Sequence, residues 1–252
     1  MASKQRDYSA LDKFNFERTP VGVKFMITKP EGIKRIDKEL NMCEMLKEAQ
    51  ENDPFYVTPE DWVCVGVEQM ILGMEDPEPV LISGIFGGEE GLFKGANACR
   101  AMYDYLPTLP KGSVQYVAFA PLDKLTFDPD VLIMTATLPQ AQTLLRSINY
   151  STGKPFVSQA TPVVACSWIF VYPVVSGELN YFVTGLGLGM QALNIFPSGL
   201  FIISVPFQLL PTMLDNVKDM NYSPELMPGP GGVEHRKRVN QFKEDLRKKI
   251  EQ

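Results

Sequence analysis

The chain has 252 residues, 45% hydrophobic and 21% charged, with a net charge of -6, which is enough apolar material for one ordinary α/β core. The acidic balance argues against nucleic acid as a partner, because phosphate binding needs a basic face. The single histidine, His235, sits in a charged tail, which excludes a histidine-based catalytic triad in the body and a multi-histidine metal site within one chain.

Residues 1–18 read as a polar arm from which Tyr8, Leu11, Phe14 and Phe16 dock on the body. No apolar h-region marks a signal peptide, so a cytoplasmic protein is expected. The first strand is VGVKFMI (21–27), set by β-branched and aromatic residues after Pro20. Helical spacing of Leu40, Cys43 and Leu46 predicts a helix over 38–50, closed by Asn52, Asp53 and Pro54. FYVT (55–58) reads as a short strand. Thr58-Pro59-Glu60-Asp61 has the hydroxyl, proline and carboxylates of a helix start, predicting a helix through Trp62, Cys64, Val67 and Ile71 to Gly73. A strand near 80–83, a glycine-rich turn over 83–95, a helix over 96–105 and a strand over 116–122 follow.

The pattern then restarts. DVLIMTA (130–136) matches VGVKFMI in type, a helix over 139–149 follows, FVS (156–158) takes the place of FYVT, and FIISVPFQLL (201–210) that of YVAFAPLDKL. Phe55 and Phe156, Cys64 and Cys166, and Gly84 and Gly185 are separated by 101, 102 and 101 residues. The fold class expected is therefore α/β (α+β) and internally duplicated, with two β-α-β-α-β halves, about 20–125 and 130–217, related by a pseudo-twofold. The body would span 1–222. Residues 223–252 would be a linker, PELMPGPGG (224–232), and a helix with Val239, Phe242, Leu246 and Ile250 in one apolar stripe.

Cys43, Cys64 and Cys166 are the candidates for chemistry. Three thiolates can bind an iron–sulfur cluster or a soft metal, and one can act as a nucleophile. No Cys-x-x-Cys spacing supports this, and buried cysteine also serves as a small hydrophobe. Glycines 84, 87 and 88 in the first half, and 185 and 187 in the second, leave room for a ligand near the pseudo-axis. Gly84, Gly87, Gly88, Gly185 and Gly187 are thus expected beside Cys64 and Cys166 at one cofactor site, with a flat tetrapyrrole as the alternative to a cluster. Glu89 and Glu90 of the glycine-rich turn are the acid/base alternatives. Between Lys154 and Asp215 the only charged residue is Glu178. Glycines and prolines interrupt that neutral stretch, so no membrane span is expected. Its excess apolar surface points to a homodimer or other homo-oligomer.

VGVKF (21–25), Cys43-x-x-Leu46-x-x-Ala49, Cys64-x-Gly66, FAPL (119–122), Pro129-Asp130-Val131, Ala165-Cys166-Ser167 and Tyr172-Pro173 together resemble the family called domain of unknown function 169, over roughly residues 20–217. The resemblance implies an origin among anaerobic bacteria and archaea, and cysteines shared at Cys43, Cys64 and Cys166. Relatives often add a Gly-Cys-x-x-Cys-like run where this chain has Gly185-Leu186-Gly187-Leu188-Gly189-Met190, without cysteine, and Cys99 is peculiar to this chain. The expected function is a binding protein that holds an apolar or metal-containing cofactor between its halves and serves a redox enzyme. A small-molecule enzyme using a cysteine or glutamate in the same cleft, and a structural subunit without ligand, are the alternatives.

Overall fold

A computed structural model describes residues 6–64, 66–221 and 232–250. In chain order the elements are β1 (Val21–Met26), β2 (Lys34–Arg35), α1 (Met42–Glu51), β3 (Phe55–Val57), a 3-10 turn (Pro59–Asp61), α2 (Val67–Ile71), α3 (Pro79–Ile82), α4 (Ile85–Glu89), α5 (Ala96–Tyr103) and β4 (Tyr116–Pro121). Then come β5 (Val131–Ala136), α6 (Leu138–Thr152), a π-helical turn (Ser167–Val171) leading into α7 (Tyr172–Ser176), β6 (Asn180–Val183), α8 (Leu188–Ala192), β7 (Phe201–Pro206), α9 (Leu210–Asp219) and α10 (Gly232–Ile250).

The fold is mixed α/β around one seven-stranded sheet of order β2-β3-β4-β1-β5-β7-β6. Every pairing is antiparallel except β2 with β3. At the centre, β1 and β5 pair Val21 with Ile133, Gly22 with Leu132 and Val23 with Val131.

Both sheet faces are covered, which is why the central strands are continuous apolar runs rather than alternating ones. Val23, Phe119, Ile133 and Ile202 point into one core with α1, α2 and the π-helical turn. Leu132, Met134, Ile203 and Val205 point into the other with α6 and α9. Val23, Ile133, Leu132 and Ile203 are fully buried, each contributing roughly 1.5–3 kcal/mol.

Several expected elements take a different form. The expected strand near 80–83 is α3: Pro79 opens it, as proline does at a first helical position. The glycine-rich turn contains α4, entered through Gly84 at φ +78°. The helix expected from Thr58 to Gly73 is broken. Its first part is a 3-10 turn, and α2 starts only after Gly66, whose φ of +79° is left-handed. FVS (156–158) forms no strand, and β6 is the edge strand on that side of the sheet. Residues 184–190 turn at Gly185 (φ +94°) and enter α8.

The chain forms two compact units, Met1–Val217 and Lys218–Gln252. The second contains α10, with Phe242, Leu246 and Ile250 exposed. The linker expected at 224–232 lies, but for Gly232, outside the described residues, as do the first five residues of the N-terminal arm. Among the described residues no helix is long and apolar enough to cross a membrane.

Candidate functional site

Three separate segments converge at one edge of the larger core. The first is the start of α1. Asn41 caps it: its side-chain oxygen accepts the Glu44 N–H at 2.9 Å, and the Glu44 carboxylate accepts the Asn41 N–H at 3.1 Å. This capping box satisfies backbone donors that the helix cannot and fixes Met42 and Cys43 in the first turn.

The second segment runs from Thr58 to α2. Asp61 accepts the Thr58 N–H at 2.8 Å and a two-pronged contact from Arg35 at 2.9 and 3.0 Å. The Leu40 N–H donates to the Asp61 carbonyl at 3.1 Å, tying this turn to the approach to α1. Helical geometry stops here, so Cys64 emerges on a loop, and Glu68 follows on α2 with only 1% of its surface exposed.

The third segment leads to Cys166. Val164 has φ +56°, a conformation that costs a β-branched residue on the order of 1–3 kcal/mol. Cys166 then opens the π-helical turn, which closes with the Tyr172 N–H donating to the Ser167 carbonyl. Pro173 explains the widening: it has no N–H, and its ring would crowd the carbonyl four residues back. Asn180 of β6 takes up the slack, donating its amide to the carbonyls of Trp168 at 2.8 Å and Gln159 at 2.9 Å. Trp168 donates its indole N–H to Thr161 at 2.8 Å, clamping the loop before Cys166.

Cys43, Cys64, Glu68 and Cys166 line a single cavity of about 90 Å³. Gly187, Gly189, Val164, Met190 and Leu193 make its other walls. Hollows of about 500, 370 and 260 Å³ lie elsewhere on the protein, and no cysteine lines them. The small cavity is the chemical one, because nucleophilic and titratable groups are gathered there.

Burial dominates its electrostatics. It pushes the Cys43 and Cys64 thiols up to about 12, with the Glu68 charge adding to the effect. It pushes Cys166 well above its ordinary value, again reinforced by Glu68 and by the other two sulfurs. Glu68 itself is raised to about 7 by burial, against the opposing pull of its own and the Met42 backbone N–H groups and of the Cys64 thiol. Its Oε1 accepts the Met42 N–H at 3.4 Å, while no described residue donates to Oε2. The thiols are therefore neutral near pH 7 in the unliganded protein. Among the described residues no three His, Cys, Asp or Glu side chains stand close enough to hold a single metal ion.

Of the residues singled out in the sequence, Cys43, Cys64, Cys166 and Gly187 meet at this cavity. Gly84, Gly87 and Gly88 do not line it: they are where α4 packs on α5. A Cβ at Gly84 would stand 2.1 Å from the Ala96 carbonyl oxygen, and one at Gly87 would stand 2.5 Å from the Cys99 sulfur. Gly185 packs on Ser198. Glu68 was not singled out. The signal for Glu68 was present: it is the only charged residue between Asp61 and Glu75, a lone acid in an apolar helix. Nothing in the sequence marks the left-handed Val164.

A family model described as "Uncharacterised ArCR" matches residues 11–216. A curated protein of Methanocaldococcus jannaschii, itself called uncharacterized, is 29% identical over 128 residues, covering 50% of this chain and 54% of that protein. The chain spans about half the length of the curated relative it matches. No solved structure matches it.

Proposed function

The chain belongs to the domain of unknown function 169 family, and we propose that it is a binding protein whose Cys43, Cys64 and Cys166 thiols hold an iron–sulfur cluster for redox metabolism. The observation that carries this is the convergence on one cavity of three cysteines from segments far apart in sequence. A cost supports it: the strained backbone at Val164 is of a kind that recurs at functional sites.

Size favours a small inorganic group. A cavity of about 90 Å³ is well below the several hundred Å³ that organic ligands occupy, which disfavours the tetrapyrrole. Loading would release the thiol protons, with iron supplying the positive charge that buried thiolates lack.

A second reading is a small-molecule enzyme in which Glu68 works as general acid or base. Its value of about 7 favours this reading, since proton-transfer groups work best near ambient pH. A cysteine nucleophile is disfavoured, because thiols pushed to about 12 hold little thiolate at neutral pH.

We also read the fold as an internal duplication. The antiparallel β1–β5 pair, flanked by β4 and β7 and then by β3 and β6, supports a twofold between the central strands. The exposed side chains of Val63, Leu188 and Leu193 next to the cavity support assembly with a second copy through this face. Iron and acid-labile sulfide in anaerobically purified protein, with a visible chromophore, is the result expected. Protein that stays colourless after anaerobic reconstitution with ferric and ferrous iron and sulfide would remove the cluster reading.

A further inference from the structure

We propose that Glu68 is the fourth ligand of this site, so that a four-iron cluster is held by three thiolates and one carboxylate. The inference rests on the reading that the three thiols hold a cluster. It is carried by the state of the Glu68 side chain. The residue is 1% exposed and lines the cavity. The Cys64 thiol hydrogen-bonds the carboxylate and the Met42 N–H donates to Oε1, while Oε2 has no donor among the described residues by hydrogen-bond geometry. A buried carboxylate oxygen without a donor is costly, and native proteins rarely leave one so. The usual remedy is a cation, yet no lysine, arginine or histidine lines this cavity. A bound iron is such a cation.

The count of donors agrees. A cubane cluster offers four irons for ligation, and three sulfurs leave one iron open. The other polar side chain on the wall is Asn41, whose oxygen caps α1 and whose amide nitrogen donates to Glu44 at 2.6 Å. Glu68 is the donor left over. Loading forms three Fe–S bonds and one Fe–O bond. The three thiols and any protonated Glu68 carboxyl give their protons to solvent; the core is built from two ferric and two ferrous irons with four sulfides, so ligation itself transfers no electron.

The test compares wild type, Glu68→Gln and Glu68→Cys, each loaded anaerobically with ferric and ferrous iron in equal amounts and with sulfide. Circular dichroism serves as the check on folding. All three should take up a cluster. Mild ferricyanide should remove one iron from Glu68→Gln at least about tenfold faster than from wild type, leaving the electron paramagnetic resonance signal of a three-iron cluster. Glu68→Cys should resist that loss. A Glu68→Gln cluster with wild-type Mössbauer parameters and the same resistance to iron loss would overturn the assignment while leaving the thiol site standing. Failure of wild type to load any cluster would instead overturn the thiol reading itself, and this inference with it.

Discussion

Glu68→Gln makes a prediction that needs no metal at all. In the unliganded protein a carboxyl raised from 4.5 to about 7 costs about 3 kcal/mol when charged, at about 1.4 kcal/mol for each pH unit. Between those two values the native protein keeps a proton that the unfolded chain has released. Stability therefore falls as pH rises across that window and levels off above it. The amide keeps the acceptor for the Met42 N–H and carries no charge. Its NH₂, lying where Oε2 finds no donor, returns about 1 kcal/mol of the gain. The metal-free variant should thus be about 2 kcal/mol more stable than wild type at pH 8, and within about 1 kcal/mol of it at pH 5. Urea unfolding at both pH values measures this directly. A variant no more stable than wild type at pH 8 would refute the claim that Glu68 is held buried and charged at a cost.

Other consequences follow from the same geometry. Asn41→Ala removes the cap of α1 and should cost about 1 kcal/mol in urea unfolding, while loosening the turn that carries Cys43. Gly84→Ala combines φ +78° with a Cβ 2.1 Å from a carbonyl oxygen, and should lower stability by at least about 2 kcal/mol, seen as a clear drop in melting temperature. Gly189 has open space where a Cβ would go, so Gly189→Leu should fold normally yet block cluster loading; full loading would show that the group sits elsewhere. Cys64 is exposed yet pushed up to about 12. Its alkylation in the metal-free protein should be slow at neutral pH and still rising above pH 10, and a plateau near pH 9 would contradict the assigned environment.

The sequence showed the central strands well, because Val21–Met26 and Val131–Ala136 are β-branched and apolar and follow turn residues. It showed α1 and α6 as helices but not their ends, which Asn41 and Thr137 set by capping boxes. The short helices were hidden for a physical reason. Helices as brief as α3 and α4 show too little periodicity, and their β-branched and glycine residues resemble a strand and a turn. Cys43, Cys64 and Cys166 were legible as candidates one by one. What brings them together is not written locally: it needs the interruption of helix at Gly66, the left-handed Val164 and the widened turn before Pro173. Glu68 was legible as a lone acid, but its unpartnered oxygen appears only when Met42 is folded against it.

The central claim is that Cys43, Cys64 and Cys166 hold one iron–sulfur cluster, and Mössbauer spectroscopy of protein reconstituted anaerobically with ⁵⁷Fe tests it most directly. The account predicts a four-iron spectrum with one iron distinct from the other three in wild type, and no cluster in a folded variant with all three cysteines changed to serine. A spectrum from wild type showing only adventitious iron, or an unchanged cluster in the triple variant, would contradict it.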